Sequence, residues 1–274
     1  AQPPMQREQY RMPHSLPQQD LHIDAAGVRL EARTLGVLAH DRPALVFLHE
    51  GLGCVALWRQ FPARLCAALG LPGLVYSRAG YGGSSAAALP RTPGFMHHEA
   101  TVVLPQVLRA AGITDAILVG HSDGGSIALL HAASGSPVVR GSIVMAPHLF
   151  VAALTVASIR AASDRFESAG LKERLARYHA DPVATFRGWA DIWLDPEFAA
   201  WSIEDEVSRI ATPVLALQGW QDEYGTMNQV QRLAERAAHA RWVGIDACGH
   251  SPFIDQPQRV IDECRAFAAQ LALA

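Results

Sequence analysis

Lysine is almost missing from this chain. Lys172 is the only one, and the remaining basic residues are arginines scattered along the sequence rather than gathered in blocks. With a formal net charge of −3 and a pI near 6.5 there is no basic footprint, so nucleic acid is not an expected partner. Charged residues of both signs are sparse, at 18% of the total. Long apolar runs are absent as well. Nothing approaches the ~18 uninterrupted apolar residues of a membrane span, so no membrane partner is expected. The N-terminus lacks the charged-then-apolar layout of a signal peptide, which makes a cytoplasmic location the default expectation. Because the first residue is Ala1 rather than methionine, a removed leader stays open. Cysteine is scarce too. Cys54, Cys66, Cys248 and Cys264 form no C-x-x-C pair and no metal-like cluster with histidine. They read as free, largely buried thiols, while a Cys54–Cys66 or Cys248–Cys264 disulfide is left open by sequence.

What is plentiful is apolar surface: half of the 274 residues are hydrophobic, enough to fill the core of one large α/β unit. Residues 1–18 are rich in Gln, Pro and Arg without apolar period, and read as a flexible arm. Beyond them, "VRLEARTLG" (28–36) alternates as an early strand does. The runs 44–50, 71–77, 116–122, 141–147, 212–219 and 240–246 are nearly continuous in apolar residues, as suits strands covered on both faces. Helical spacing fills the gaps. Leu57, Trp58, Phe61, Leu65 and Leu69 mark a helix over 55–69, Val103, Val107 and Ala110 one over 99–111, and 256–272 closes the chain. Strands alternating with helices imply a mostly parallel sheet flanked by helices.

One interval breaks that rhythm. Residues 150–211 carry helical signals and no strand. Leu171, Leu175 and Tyr178 fall on one face, Asp181-Pro182 and Asp195-Pro196 each read as a cap followed by Pro at the first helical position, and Ser202 with Asp205 resembles a capping box. The expected organisation is a core of 19–149 and 212–274 with a helical insertion at 150–211.

The chemistry centres on "GHSDGG", Gly120 to Gly125, between an apolar strand and the helical run "SIALLHAA". A chain that turns sharply from strand to helix projects Ser122 outward, and it needs Gly120 and Gly124 where side chains would collide with neighbouring strand and helix. Serine is a weak nucleophile near neutral pH, so it needs a base and the base needs an orienting acid. Asp222 lies just past the run ending at Gly219, and His250 just past the final run, both where late loops would bring them to Ser122. Glu223 is the fallback acid.

These residues resemble the α/β-hydrolase family over roughly residues 21–272. "LVFLHEGLG" is similar to the family's strand followed by His-Gly-x, and "YSRAGYGGSS" to its segment ending Gly-x-Gly-x-Ser. The resemblance implies an α/β-hydrolase fold with 150–211 as a helical cap. It also implies an oxyanion hole formed by the backbone N–H groups of Gly51 and Asp123, with Leu52 as an alternative donor. One position departs from the pattern: Glu50 stands where the family usually has glycine. Its carboxylate would repel a developing oxyanion unless it points away or is paired, and roles in binding substrate or holding His49 or Arg78 are both open.

The implied activity is hydrolysis of a small, partly apolar ester, thioester or lactone through an acyl-enzyme, without metal or cofactor. Cleavage of a carbon–carbon bond in a diketone-like ring-fission product is the alternative, and a non-catalytic ligand receptor the reading from another class. Dehalogenation and epoxide opening in this fold need an Asp nucleophile, which Ser122 argues against. His97, His98 and Glu99 read as a solvated helix start rather than a metal site. His121 reads as packing support, and His148, Trp189 and Trp193 as candidates to line a substrate pocket. Oligomeric state is not legible.

Overall fold

The six apolar runs and the alternating segment 28–36 become strands of one sheet, and an eighth strand precedes them. The computed structural model describes residues 16–168 and 170–271. The strands are β1 (Gln18–Ala25), β2 (Val28–Leu35), β3 (Ala44–Leu48), β4 (Gly73–Tyr76), β5 (Ala116–His121), β6 (Val139–Met145), β7 (Val214–Gly219) and β8 (Ala240–Ile245). Their spatial order is β1-β2-β4-β3-β5-β6-β7-β8. Pairings involving β1 and β2 are antiparallel, and the rest are parallel.

The helices follow in chain order. α1 (Phe61–Leu69) comes after β3; α2 (Phe95–His98) and α3 (Leu104–Ala110) come after β4; α4 (Asp123–Ala133) comes after β5. Between β6 and β7 lie α5 (Ala153–Asp164), α6 (Leu171–Leu175), α7 (Pro182–Leu194) and α8 (Glu204–Val207). α9 (Asn228–Arg236) joins β7 to β8, and α10 (Pro252–Asp255) and α11 (Pro257–Gln270) complete the described chain.

The absence of in–out alternation in the strands has its reason in two cores. Leu45, Phe47, Ile117, Val119, Leu215 and Leu217 pack with Phe61, Leu65, Val260 and Phe267 of α1 and α11. Their neighbours Val46, Leu48, Leu118 and Ala216 pack with residues of α3, α4 and α9 on the opposite face. Strands covered on both sides need apolar residues at every position.

Several expectations require correction. β1 begins at Gln18, where the flexible arm was expected to end; only Ile23 and Ala25 of it are buried, so an edge strand with solvent on most of its length left little apolar signal. Residues 1–15 of that arm lie outside the described residues. The helix over 55–69 is broken: a short turn at Ala56–Trp58 ends at Arg59 with φ 54°, and α1 restarts with Pro62 in its first turn. The helix over 99–111 starts earlier, at Phe95, and widens to π geometry over Glu99–Val103 just ahead of Pro105, which has no N–H to offer the preceding turn. Val103 and Val107 are buried, but Ala110 is exposed. Tyr178 lies beyond α6 and is 42% exposed, off the face assigned to it. Asp181 does cap α7, accepting from the Ala184 N–H at 2.9 Å. Asp195 caps a 3₁₀ turn rather than an α-helix, and Ser202 accepts from the Glu204 N–H without a reciprocal bond from Asp205. All four cysteines are free and buried. Burial pushes the Cys54, Cys66 and Cys248 thiols up to about 12. Among the described residues no helix is long and apolar enough to cross a membrane.

The parallel register pairs Leu48 with Gly120, His121 with Met145 and Gly219 with Ile245. The carboxyl ends of β3, β5, β6, β7 and β8 therefore sit side by side. Loops leaving that edge carry Glu50, Ser122, His148, Asp222 and His250.

Candidate active site

Ser122 sits at the turn from β5 into α4 with φ 51° and ψ −119°, a backbone conformation that strains any residue bearing a Cβ. Close packing enforces the turn. A Cβ on Gly120 would lie 2.3 Å from the Gly124 carbonyl oxygen, and one on Gly124 would lie 2.0 Å from the Leu48 carbonyl oxygen. Both neighbours are backbone and cannot swing aside, which is the physical content of the glycine pattern.

The strain aims the hydroxyl at His250. Ser122 Oγ is 2.9 Å from His250 Nε2, and His250 Nδ1 is 2.9 Å from both oxygens of Asp222. Asp222 Oδ1 also accepts the Tyr224 and Gly225 N–H groups at 2.7 and 2.9 Å, and Oδ2 accepts Gln218 Nε2 at 2.6 Å. Burial alone would raise the Asp222 carboxyl. The His250 hydrogen bond and charge, with the two amides, overcome that and hold it below the usual carboxylate range. Glu223, the fallback acid, meets the backbone instead: its Oε2 accepts the N–H of His250 at 3.3 Å.

A second imidazole flanks the serine. His148, past the end of β6, places Nε2 3.3 Å from Ser122 Oγ and is 2% exposed. Burial, and then the charge of His250, pull it down to about 3, so it is a poor base for the serine proton. With Ser122 donating to His250, His148 Nε2–H is left to donate to Ser122 Oγ. Its Nδ1 then remains a buried acceptor without a partner among the described residues.

The loop after β3 forms the opposite wall. Among the described residues neither the Gly51 nor the Asp123 N–H meets a protein acceptor, and Leu52 N–H is equally free. Arg78, fully buried, donates Nη1 to the His49 carbonyl and Nη2 to the Glu50 carbonyl, the latter at 3.0 Å. His49 Nδ1 donates to the Glu50 carbonyl at 2.7 Å, and its Nε2 accepts the Arg78 N–H at 3.0 Å. That pattern describes one neutral tautomer, consistent with burial and the Arg78 charge holding His49 well below its ordinary value. The Asp123 side chain points into the interior at 1% exposure. Burial raises its carboxyl, against the pull of Arg78 and Arg91.

Glu50 neither holds Arg78 through its carboxylate nor stands unpaired. Its Oε2 is 3.4 Å from His121 Nδ1, and His121 Nε2 is 2.7 Å from the His250 carbonyl. His121 is thus a link between two loops of the site rather than packing alone. On α7, Trp189 covers Gly51, where an added Cβ would lie 2.1 Å from its indole nitrogen. Trp193, one turn on, meets His148 edge-to-face with centroids 4.8 Å apart.

Glu50, Gly51, Leu52, Ser122, Asp123, His148, Trp189, Trp193 and His250 surround one cavity of about 140 Å³. Three further residues complete its lining: Thr155 and Ile159 of α5, and Tyr224, whose ring centroid is 5.0 Å from that of His250. Tyr224 lies two residues beyond Asp222 and was findable by proximity; Thr155 and Ile159 carry no sequence signal. His97, His98 and Glu99 are elsewhere. His97 faces Glu206 at 3.4 Å, and Glu99 is 8% exposed, contrary to the solvated helix start expected.

The alpha/beta hydrolase family model matches residues 45–263. The chain belongs to that family. This alpha/beta hydrolase is 27% identical over 216 residues to pimeloyl-[acyl-carrier protein] methyl ester esterase of Xanthomonas campestris pv. campestris, covering 65% of this chain and 81% of that protein. Among solved structures it is similar to a thermophilic esterase from Thermogutta terrifontis, with TM-score 0.73, 17% identity and coverage of 92% and 99%. It is also similar to the enol-lactonase from Burkholderia xenovorans LB400, with TM-score 0.71, 20% identity and coverage of 91% and 100%.

Proposed function

We propose that this alpha/beta hydrolase is a serine hydrolase of small, partly apolar carboxylic esters, thioesters or lactones. The observation that carries the reading is the unbroken line Asp222–His250–Ser122, each contact 2.9 Å. Asp222 fixes the Nδ1–H tautomer of His250, so Nε2 presents a lone pair to the Ser122 proton. Ser122 attacks the acyl carbonyl, and the resulting oxyanion is met by the N–H groups of Gly51 and Asp123. His250 protonates the leaving group, then activates water to release the acid. Residues 150–211 act as a cap over the core of 19–149 and 212–274, because Thr155, Ile159, Trp189 and Trp193 from that interval close the cavity over Ser122. The names of the relatives, a methyl ester esterase and an enol-lactonase, support the ester and lactone classes.

A cavity of about 140 Å³ is comparable with one that admits benzene, roughly 150 Å³. Short acyl chains are therefore expected to outrun long ones. The test is turnover of p-nitrophenyl esters from acetate to decanoate, together with mass-spectrometric mapping of a fluorophosphonate adduct. Fast acetate and butyrate turnover with the adduct on the Ser122 peptide is the expected result. No turnover and no adduct would shift the reading to carbon–carbon cleavage or to a ligand receptor.

Gly51→Ala addresses the oxyanion wall. The new methyl would displace Trp189 or the loop itself, and losing one oxyanion donor costs about 10²–10³ in kcat. The check is kcat on p-nitrophenyl acetate with an unchanged melting temperature as control.

A further inference from the structure

Glu50 replaces the residue with least side chain at the wall nearest the reacting carbonyl, and its surroundings define what it offers. The His250 carbonyl can only accept, so His121 Nε2 must be the donor in the 2.7 Å contact. The 3.4 Å contact between His121 Nδ1 and Glu50 Oε2 then requires one proton between two otherwise bare acceptors. The pair is net neutral, and this removes the repulsion a lone carboxylate would exert on the oxyanion. Burial raises the Glu50 carboxyl, but the His121 hydrogen bond and charge more than offset it and hold the carboxyl below its ordinary value.

Pairing uses only part of the carboxylate. Beyond His121 and its own amide, it meets no donor among the described residues. A quarter of the side chain (25%) remains open, on the cavity that holds Ser122. The other unpartnered acceptors of that wall, His148 Nδ1 and Asp123 Oδ2, are themselves fully buried. Thr155 already donates to the Tyr224 carbonyl, His148 faces Ser122, and Leu52, Ile159, Trp189 and Trp193 present apolar surface.

We propose that Glu50 selects acyl substrates carrying a neutral hydrogen-bond donor, a hydroxyl group, close to the scissile carbonyl. The proposal rests on the serine-hydrolase reading and names its substrate class. A hydroxyl satisfies the carboxylate without adding charge. A substrate carboxylate would face Glu50 directly. A substrate ammonium would add a cation to a site where Arg78 already supplies positive charge behind the same loop.

The experiment compares methyl 3-hydroxypropanoate with its near-isostere methyl butanoate, and with methyl 3-aminopropanoate and monomethyl succinate, in wild type, Glu50→Gln and Glu50→Leu. A hydrogen bond to a charged group predicts a wild-type kcat/KM ratio of roughly tenfold or more for the hydroxy ester over butanoate. Gln keeps an acceptor and should keep part of that ratio, while Leu should bring it near one, whatever the absolute rates. A wild-type ratio of one or less, or a ratio unchanged in Glu50→Leu, overturns the proposal. Preference for the amino ester overturns the choice of a neutral donor. If no ester turns over, the serine-hydrolase reading fails by itself. The same esters titrated calorimetrically onto the wild-type chain then decide the Glu50 proposal, with equal affinities for hydroxy ester and butanoate overturning it.

Discussion

Ser122→Ala should lower kcat on p-nitrophenyl butyrate by a factor on the order of 10⁶, leaving only what binding and the oxyanion donors supply. The loss should come without unfolding. Alanine keeps a Cβ at the same strained turn, φ 51° and ψ −119°, so the native state neither gains nor loses backbone strain. Ser122→Gly separates the two roles of the position. Glycine tolerates positive φ, and relieving a strain of about 1–3 kcal/mol should raise the melting temperature by a few degrees while activity stays absent. His148 cannot rescue either variant, because it is itself too weak a base and its Nδ1 meets no carboxylate among the described residues. Turnover by Ser122→Ala close to that of wild type would remove Ser122 from the mechanism.

The position proposed for the nucleophile could be flagged because steric necessity is written at fixed offsets. Gly120 and Gly124 are glycines because backbone oxygens lie where a Cβ would be, and such a requirement survives in any single sequence. Asp222 and His250 could be flagged for a different reason, since each follows on a largely apolar run that reads as a strand, even though β8 at the sheet edge is only half-buried over 240–244. Glu50 could be flagged but not interpreted. Its partner His121 lies 71 positions away, and nothing local announces a shared proton. The burial of Glu99 was misread likewise: the charges that act on it, foremost Arg78 and Arg91, come from other segments. Thr155 and Ile159 reach the cavity only because α5 packs beside α7, and packing between helices of the 150–211 interval leaves no period to read. β1 failed as a strand expectation because an exposed edge needs few apolar residues.

Asp222→Asn should reduce kcat by about 10⁴ with little change in KM, because it reverses the histidine tautomer rather than removing a contact. The surroundings dictate how the amide must sit. The Tyr224 and Gly225 N–H groups both donate to Oδ1, so the asparagine oxygen is held there. Its NH₂ is forced to the Oδ2 position, which now accepts from Gln218 Nε2 at 2.6 Å and lies 2.9 Å from His250 Nδ1. Facing Gln218, the variant sets two donors against each other, a buried mismatch that costs about 1–3 kcal/mol of stability. His250 Nδ1 is 2.9 Å from both positions, but Oδ1 already accepts the two amides, so the NH₂ donor favours the tautomer with a bare Nδ1, which places the proton on Nε2 and leaves no lone pair for Ser122. Glu223→Gln provides the comparison, since Glu223 meets the His250 backbone and not its ring; its kcat should stay within about tenfold of wild type, an exposed contact of that kind contributing little. Steady-state kinetics on the two purified variants decide the matter. A 10⁴-fold loss confined to Glu223→Gln would move the orienting acid to the neighbouring residue, whereas the loss in Asp222→Asn alone ties the base strength of His250 to the one carboxylate that both amides and Gln218 hold in place.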